Sequence, residues 1–283
     1  MSPRSRKSGI EAETTSNPER AGSAPSVSDL MSAAADVARL AGAHALGYFR
    51  RPLAVESKAD GSPVTIADRG AESLAREWIA ARYPADGLVG EEFGEERSGA
   101  TRRWILDPID GTNSFVRGVP LWGTLVAVAE GERVLAGAAY FPAIDELVVA
   151  GQGAGCWWNG ARCHVSAVAA IESATVLATD ERMAGHARMR EGWRRLAARA
   201  AIVRTWGDCS GYLLVATGRA EVMADPRMHA WDSAAVASIV TEAGGVFTDW
   251  RGVPTAFGRD AIATNSVLAA RARVALGVPI VGD

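Results

Sequence analysis

Cysteine is scarce in this chain. Cys156, Cys163 and Cys209 are the three among 283 residues, and they form neither a C-x-x-C pair nor a zinc spacing. So small and odd a set excludes a disulfide framework and fits a reducing compartment. Histidine is sparse as well: His44, His164, His186 and His229 are scattered and make no ligand pair. No apolar run approaches the roughly 18 residues of a membrane-spanning helix. No apolar h-region of a signal peptide opens the chain, so the expected location is the cytoplasm. Neither sign of charge dominates, with 30 Lys+Arg against 33 Asp+Glu. That balance removes any electrostatic argument for a nucleic-acid or membrane partner.

What is present is a chain that is 48% apolar, long enough for one large domain. Residues 1–28 are rich in Ser, Pro, Gly, Arg and Glu without a hydrophobic period, and are expected to be a disordered tail. From Ser28 the apolar positions Leu30, Ala34, Val37, Ala41, Ala45 and Tyr48 recur at three and four, which predicts an amphipathic helix capped by Ser28 or Asp29. A turn-rich stretch, Lys58-Ala59-Asp60-Gly61-Ser62-Pro63, leads to a second helix through Glu72, Leu74, Trp78 and Ile79. Residues 121–129, 133–140 and 145–150 read as an antiparallel meander, and a further hairpin surrounds Cys156-Trp157-Trp158. The second half alternates strands and helices. The expectation is a compact catalytic unit over 29–275 with two sub-halves and a short C-terminal tail, 276–283, built as packed layers of an α+β fold.

The most informative segment is Asp107-Pro108-Ile109-Asp110-Gly111-Thr112, at the end of the apolar run Arg103-Trp104-Ile105-Leu106. The apolar lead-in should bury Asp107, and a buried carboxylate needs a partner or a metal. Other acids sit where strands end or helices begin. Glu91-Glu92 follows Leu88-Val89-Gly90, Asp68 follows Thr65-Ile66-Ala67, and Asp232 follows Trp231 and opens an Ala-rich helix. Asp68 and Asp232 could each be a helix cap and Glu91-Glu92 a solvated turn; Asp107-x-x-Asp110 is harder to read that way. Oxygen ligands without a His or Cys cluster point to magnesium or manganese. Two or more such ions could share a substrate oxygen, activate a water and neutralise a leaving oxygen. If a helix starts at Gly111, its backbone N–H groups can hold a phosphate. Thr112 can then hydrogen-bond the attacking water and pass its proton toward Asp68. The absence of a Ser-His-Asp order favours direct attack by water.

With these motifs the chain resembles the inositol monophosphatase-like family of magnesium-dependent, lithium-sensitive phosphatases. The likeness rests on Gly90-Glu91-Glu92, on Asp107 to Thr112 with Phe115, and on Trp231-Asp232 through Glu242-Ala243-Gly244-Gly245, with Asp60 to Thr65 and Asp68 upstream. It implies a layered α-β-α-β-α sandwich, commonly a homodimer. It implies metal ligation by Glu91, Asp107, the Ile109 carbonyl, Asp110 and Asp232, with Glu92 behind them. Two or three Mg2+ ions, with Mn2+ as a substitute, are the implied cofactors. Asp68 and Thr112 would orient the water, and Ile109 to Thr112 would hold the phosphate of a small phosphorylated metabolite.

Within the family the chain is most similar to the histidinol-phosphatase branch, through Asp110 to Gly118 and Thr205 to Tyr212. Asp225, seven before Asp232, stands where the family places an acid near the alcohol half of the substrate. Histidinol phosphate carries an amine and an imidazole, so Asp208 and Asp225 suit it as partners. Asn113 stands where that branch often has Lys, and His229 resembles the inositol branch. The expected reaction is hydrolysis of L-histidinol phosphate, with inositol 1-phosphate the rival substrate. A metal-binding interaction protein on the same fold is the alternative of another class.

Overall fold

The computed structural model describes residues 24–58 and 61–280. Residues 1–23 of the expected tail, Asp60 of the upstream motif and the last three residues lie outside the described residues. The first helix, α1, spans Val27–Leu46, so residues 27 and 28 belong to the folded unit. Its cap is Ser26, not Ser28 or Asp29. Asp29 donates its N–H to Ser26 Oγ at 3.2 Å, and Asp29 Oδ2 accepts the Ser26 N–H at 3.0 Å. Asp29 is thus the third helical residue of a capping box, three positions beyond the cap.

A small ribbon of β1 (Glu56–Ser57) and β2 (Pro63–Val64) precedes α2 (Ile66–Arg82). Eight strands then form one sheet: β3 (Gly87–Gly90), β4 (Gly94–Glu96), β5 (Arg102–Asp110), β6 (Gly123–Glu130), β7 (Arg133–Phe141), β8 (Glu146–Gly151), β9 (Gly155–Trp158) and β10 (Ala161–Arg162). A short helix, α3 (Thr112–Val116), links β5 to β6. The strand order is β10-β9-β8-β7-β6-β5-β3-β4, antiparallel except for the parallel β3–β5 pair. The expected meander is the middle of this sheet.

The second half supplies β11 (Thr175–Leu177), α4 (Ala187–Ala197), β12 (Ile202–Arg204), α5 (Asp208–Ala216), β13 (Val222–Asp225), α6 (Ala230–Glu242), β14 (Val246–Thr248), β15 (Ala261–Thr264) and α7 (Ala269–Leu276). Its five strands are ordered β12-β11-β13-β15-β14, the first three parallel and the rest antiparallel.

Residue type explains the layering. Strand β6 lacks a polar alternation, and all of it except Glu130 is buried, which requires cover on both faces. Val126 and Val128, with Ala136 and Ala138 of β7, pack under α1 and α2. Leu125, Ala127 and Ala129, with Ala139 and Phe141, pack on the opposite face against α5 and α6. The five-stranded sheet turns Val176, Val222 and Ile262 outward onto Trp193 and Leu196 of α4 and Ala272 and Leu276 of α7. The result is the expected α-β-α-β-α sandwich. Each fully buried Leu, Val or Ile in these layers contributes roughly 1.5–3 kcal/mol. The C-terminal ends of β3, β5 and β13 and the N-terminal turns of α2, α5 and α6 carry the acids singled out in the sequence.

Candidate active site

The end of β5 is irregular. Asp107 pairs with Leu125 and Asp110 with Gly123, so three steps on β5 oppose two on β6. In a regular strand, residues three apart face opposite sides of the sheet; one extra residue returns both to the same side. Pro108, which has no N–H to give a ladder, sits in that bulge, and its carbonyl accepts the Thr124 hydroxyl at 2.8 Å. Local chemistry thus aims two carboxylates in one direction.

Gly111 follows at φ +87°, and a Cβ there would come within 2.8 Å of the Leu121 carbonyl, so both conformation and space require glycine. Helix α3 does begin at Thr112, as the phosphate reading needs. The Ser114 and Phe115 N–H groups return to the Gly111 carbonyl at 2.8 and 3.0 Å. The free donors of the first turn among the described residues are therefore those of Thr112 and Asn113, while the Ser114 N–H is taken. The Thr112 hydroxyl donates to the Ile109 carbonyl at 2.9 Å. Among the described residues it makes no direct hydrogen bond with Asp68, and the expected relay runs between them through the water itself.

Asp68 and Asp232 are placed alike. Each is the third residue of its helix, and one oxygen of each accepts the N–H three residues earlier: Thr65 to Asp68 at 2.8 Å, His229 to Asp232 at 2.7 Å. Neither is the cap itself, which differs from the capping reading: the caps are Thr65 and His229, and each Asp, as the third helical residue, closes a capping box with one oxygen. The other oxygen of Asp68, Oδ1, is buried without a partner among the described residues. Burial pushes the Asp68 carboxyl up, against the hydrogen bonds from Thr65.

The acids converge electrostatically. Burial raises Asp107 well above the carboxylate range, and Glu91, Asp110, Asp232 and Asp68 raise it further. Burial and then Asp208, Asp232 and Glu91 do the same to Asp110. Asp232 is pushed up to about 7 by burial, with Glu91 and Asp225 raising it further. Buried carboxylates that repel one another need a proton or a cation between them. Lys58 supplies a neighbouring charge: its Nζ stands 2.7 Å from Glu91 and 2.6 Å from Glu92. Glu92 is nonetheless held at about 7 by burial. As the side chains stand, no three acids among the described residues close on one point. The donors are hard oxygens, they repel one another, and one buried oxygen is orphaned. This chemistry fits a divalent cation.

Beside these acids opens a cavity of about 290 Å3 lined by Asp110, Thr179, Asp208, Tyr212, Asp225 and Asp232, and also by Asp180, His186 and Arg227. Asp208 and Asp225 differ within it. Asp225 is fully engaged by the protein: its oxygens accept the Thr179 N–H at 3.1 Å and the Tyr212 hydroxyl at 2.9 Å. The Asp208 carboxylate has no hydrogen-bond partner among the described residues, and burial beside Asp225 and Asp232 lifts it to about 7. Its backbone is left-handed at φ +51°, a conformation Asp tolerates better than most residues, with its N–H held by Thr179 Oγ1 at 2.8 Å.

Lys58, Thr179 and Tyr212 escaped the sequence reading. Lys58 lay in a stretch read only as a turn, while Tyr212 closed a quoted run without a role.

The inositol monophosphatase family model matches residues 26–278. The chain is 48% identical over 220 residues to a histidinol-phosphatase of Chlorobaculum parvum, covering 77% of this chain and 85% of that protein. It is 40% identical over 223 residues to a histidinol-phosphatase of Mycobacterium tuberculosis, covering 76% and 85%. In three dimensions it is similar to an inositol monophosphatase from Zymomonas mobilis, with a TM-score of 0.81 at 31% identity over 90% of this chain and 100% of the other.

Proposed function

This chain belongs to the inositol monophosphatase family, a phosphoric monoester hydrolase family, and from that premise we propose that it hydrolyses L-histidinol phosphate to L-histidinol and inorganic phosphate. The observation that carries the substrate is the 48% identity to a histidinol-phosphatase. The cavity supports it: an acid without a partner, Asp208, faces the space beside the metal-facing acids, where a cationic alcohol half can be recognised.

Glu91, Asp107, the Ile109 carbonyl, Asp110 and Asp232 would hold magnesium. When bound, the metal supplies positive charge that activates water and offsets the charge of the leaving oxygen. The chain's own residues do the rest. The N–H groups of Thr112 and Asn113 at the start of α3 bind phosphate oxygens. Thr112 Oγ1 orients the attacking water by accepting from it, since its own proton goes to the Ile109 carbonyl. Asp68 Oδ1, buried and unpartnered, is placed to accept the water's proton. Lys58 offsets the charges of Glu91 and Glu92. Two or three Mg2+ ions, with Mn2+ as a substitute, a homodimer and a cytoplasmic setting complete the reading. It involves no nucleic-acid or membrane partner. No helix among the described residues is long and apolar enough to cross a membrane.

The test is a phosphate-release panel with histidinol phosphate, inositol 1-phosphate, fructose 1,6-bisphosphate and adenosine 3′,5′-bisphosphate. Histidinol phosphate should give the highest kcat/KM. A preference for inositol 1-phosphate would replace the substrate and leave the chemistry intact.

A further inference from the structure

Beneath the Glu91–Glu92 turn lies a buried ion pair that takes no part in the reaction described above. Glu72 stands one helical turn after Asp68 on α2 and is fully buried. Its Oε1 accepts from Arg76 Nε at 2.7 Å, and its Oε2 accepts the backbone N–H of Glu92 at 2.7 Å. The Phe93 N–H reaches Oε1 at 3.3 Å. Arg76 in turn donates to the Gly94 carbonyl and, at 3.0 Å, to Glu96, and its guanidinium lies over the Phe93 ring. Helix α2 therefore grips the turn from both ends, two N–H groups by Glu72 and a carbonyl by Arg76. Gly90 makes room for the grip, since a Cβ there would come within 2.0 Å of Glu72 Oε1.

The turn carries two acids beside the strand that bears Asp107: the Glu91 N–H donates to the Leu106 carbonyl at 3.3 Å, and Lys58 Nζ stands 2.7 and 2.6 Å from Glu91 and Glu92. Like charges gathered at one point tend to swing apart unless the backbone that bears them is held. Because Asp68 and Glu72 occupy successive turns of one helix, the grip also sets the separation between Asp68 and the Glu91–Glu92 pair.

We infer that Glu72 and Arg76 are positioning residues, which hold the backbone of residues 91–94 so that Glu91 and Glu92 are in place before a divalent cation arrives. The inference rests on the metal reading of the site. Neighbours of this kind typically govern metal affinity by about 10–100-fold. Magnesium titrated calorimetrically into metal-free protein should bind on the order of 10-fold or more weakly in Glu72→Gln and Arg76→Met. The magnesium activation curve should move by the same factor, with kcat recovered at saturating magnesium. Arg76→Lys should fall between, since Lys can reach Glu72 but cannot fork to Gly94 and Glu96. A lowered melting temperature with unchanged magnesium affinity would reduce the pair to a structural role and overturn the inference. If Glu72→Gln does not fold, Arg76→Lys decides by the same criterion. Glu91→Gln is the control: wild-type magnesium binding there would sink the metal reading itself, whereas its loss beside an intact Glu72→Gln would sink only the grip.

Discussion

Asp107 and Asp225 each lie at the end of a buried strand, one in each sheet, and they are 2% and 3% exposed. Their surroundings are opposite. Asp225 meets donors, the Thr179 N–H and the Tyr212 hydroxyl. Asp107 takes one N–H, from Ile109 at 3.0 Å, and otherwise meets Glu91, Asp110, Asp232 and Asp68. A strand-end acid satisfied by its own fold is framework. One that faces other acids is balanced only by a charge from outside the protein. The side of the site at the end of β5 thus gathers acids that call for a cation, whereas the side at the end of β13 carries an acid already met by donors.

Breaking the first side should have the larger effect. Asp107→Asn and Asp232→Asn each remove a charge from the metal-facing group and should lower kcat by on the order of 10³-fold, a loss like that of other preorganised electrostatic groups. Phosphate release by the two purified variants measures it, and near wild-type turnover in both would remove the contrast with Asp225. Thorough chelation should silence the wild-type enzyme, and added magnesium should restore it.

On the second side the contrast is between Asp208 and Asp225. Asp208→Asn should raise KM for histidinol phosphate by roughly 10-fold or more, the scale of a lost hydrogen bond to a charged group, with kcat little changed. A substrate whose alcohol half is uncharged, such as inositol 1-phosphate, should be unaffected. Tyr212→Phe, which strips a donor from buried Asp225, should instead lower stability by about 1–3 kcal/mol. If Asp208→Asn also weakened substrates with an uncharged alcohol half, Asp208 would be framework as well.

These contrasts explain what could be read from the chain. Periodicity located the meander and most helices, since burial on one or two faces leaves a mark every residue must respect. The acids were legible because each sits at an element end with a turn signal beside it. Three features were not. The bulge that turns Asp107 and Asp110 to the same side depends on pairing with β6, and Pro108 alone does not specify it. Lys58 reaches Glu91 and Glu92 across 33 and 34 residues, a distance no local pattern spans. Glu72 and Arg76 are visible as an i,i+4 pair, yet such pairs are ordinary on helix surfaces. Only the fold shows that this one is buried under residues 91–94. The donors to Asp225, the Thr179 N–H and the Tyr212 hydroxyl, were hidden for the same reason, since tertiary contact fixes them.

The smallest expected effect concerns the metal-free protein as pH changes. Asp232 and Asp208 are held at about 7 when folded, by burial first and neighbouring acids second, against an ordinary Asp value near 4 when unfolded. Between those values the folded state binds more protons than the unfolded chain. Stability must therefore fall as pH rises from about 4 through 7. The protonated acids stabilise the folded form at the acidic end, and that contribution disappears as they ionise against one another. Melting temperatures of chelator-treated protein at pH 5.5, 6.5 and 7.5 should step downward, and saturating magnesium should flatten the series by replacing the lost protons with a cation. Asp107→Asn should shrink the steps, since it takes one charge out of the repelling group, whereas Tyr212→Phe should lower all three melting temperatures by a similar amount. A melting temperature that stays level or climbs with pH in the metal-free wild type would mean that Asp232 and Asp208 are neutralised from within the protein, as Asp225 is satisfied by its donors, and their contrast with Asp225 would vanish.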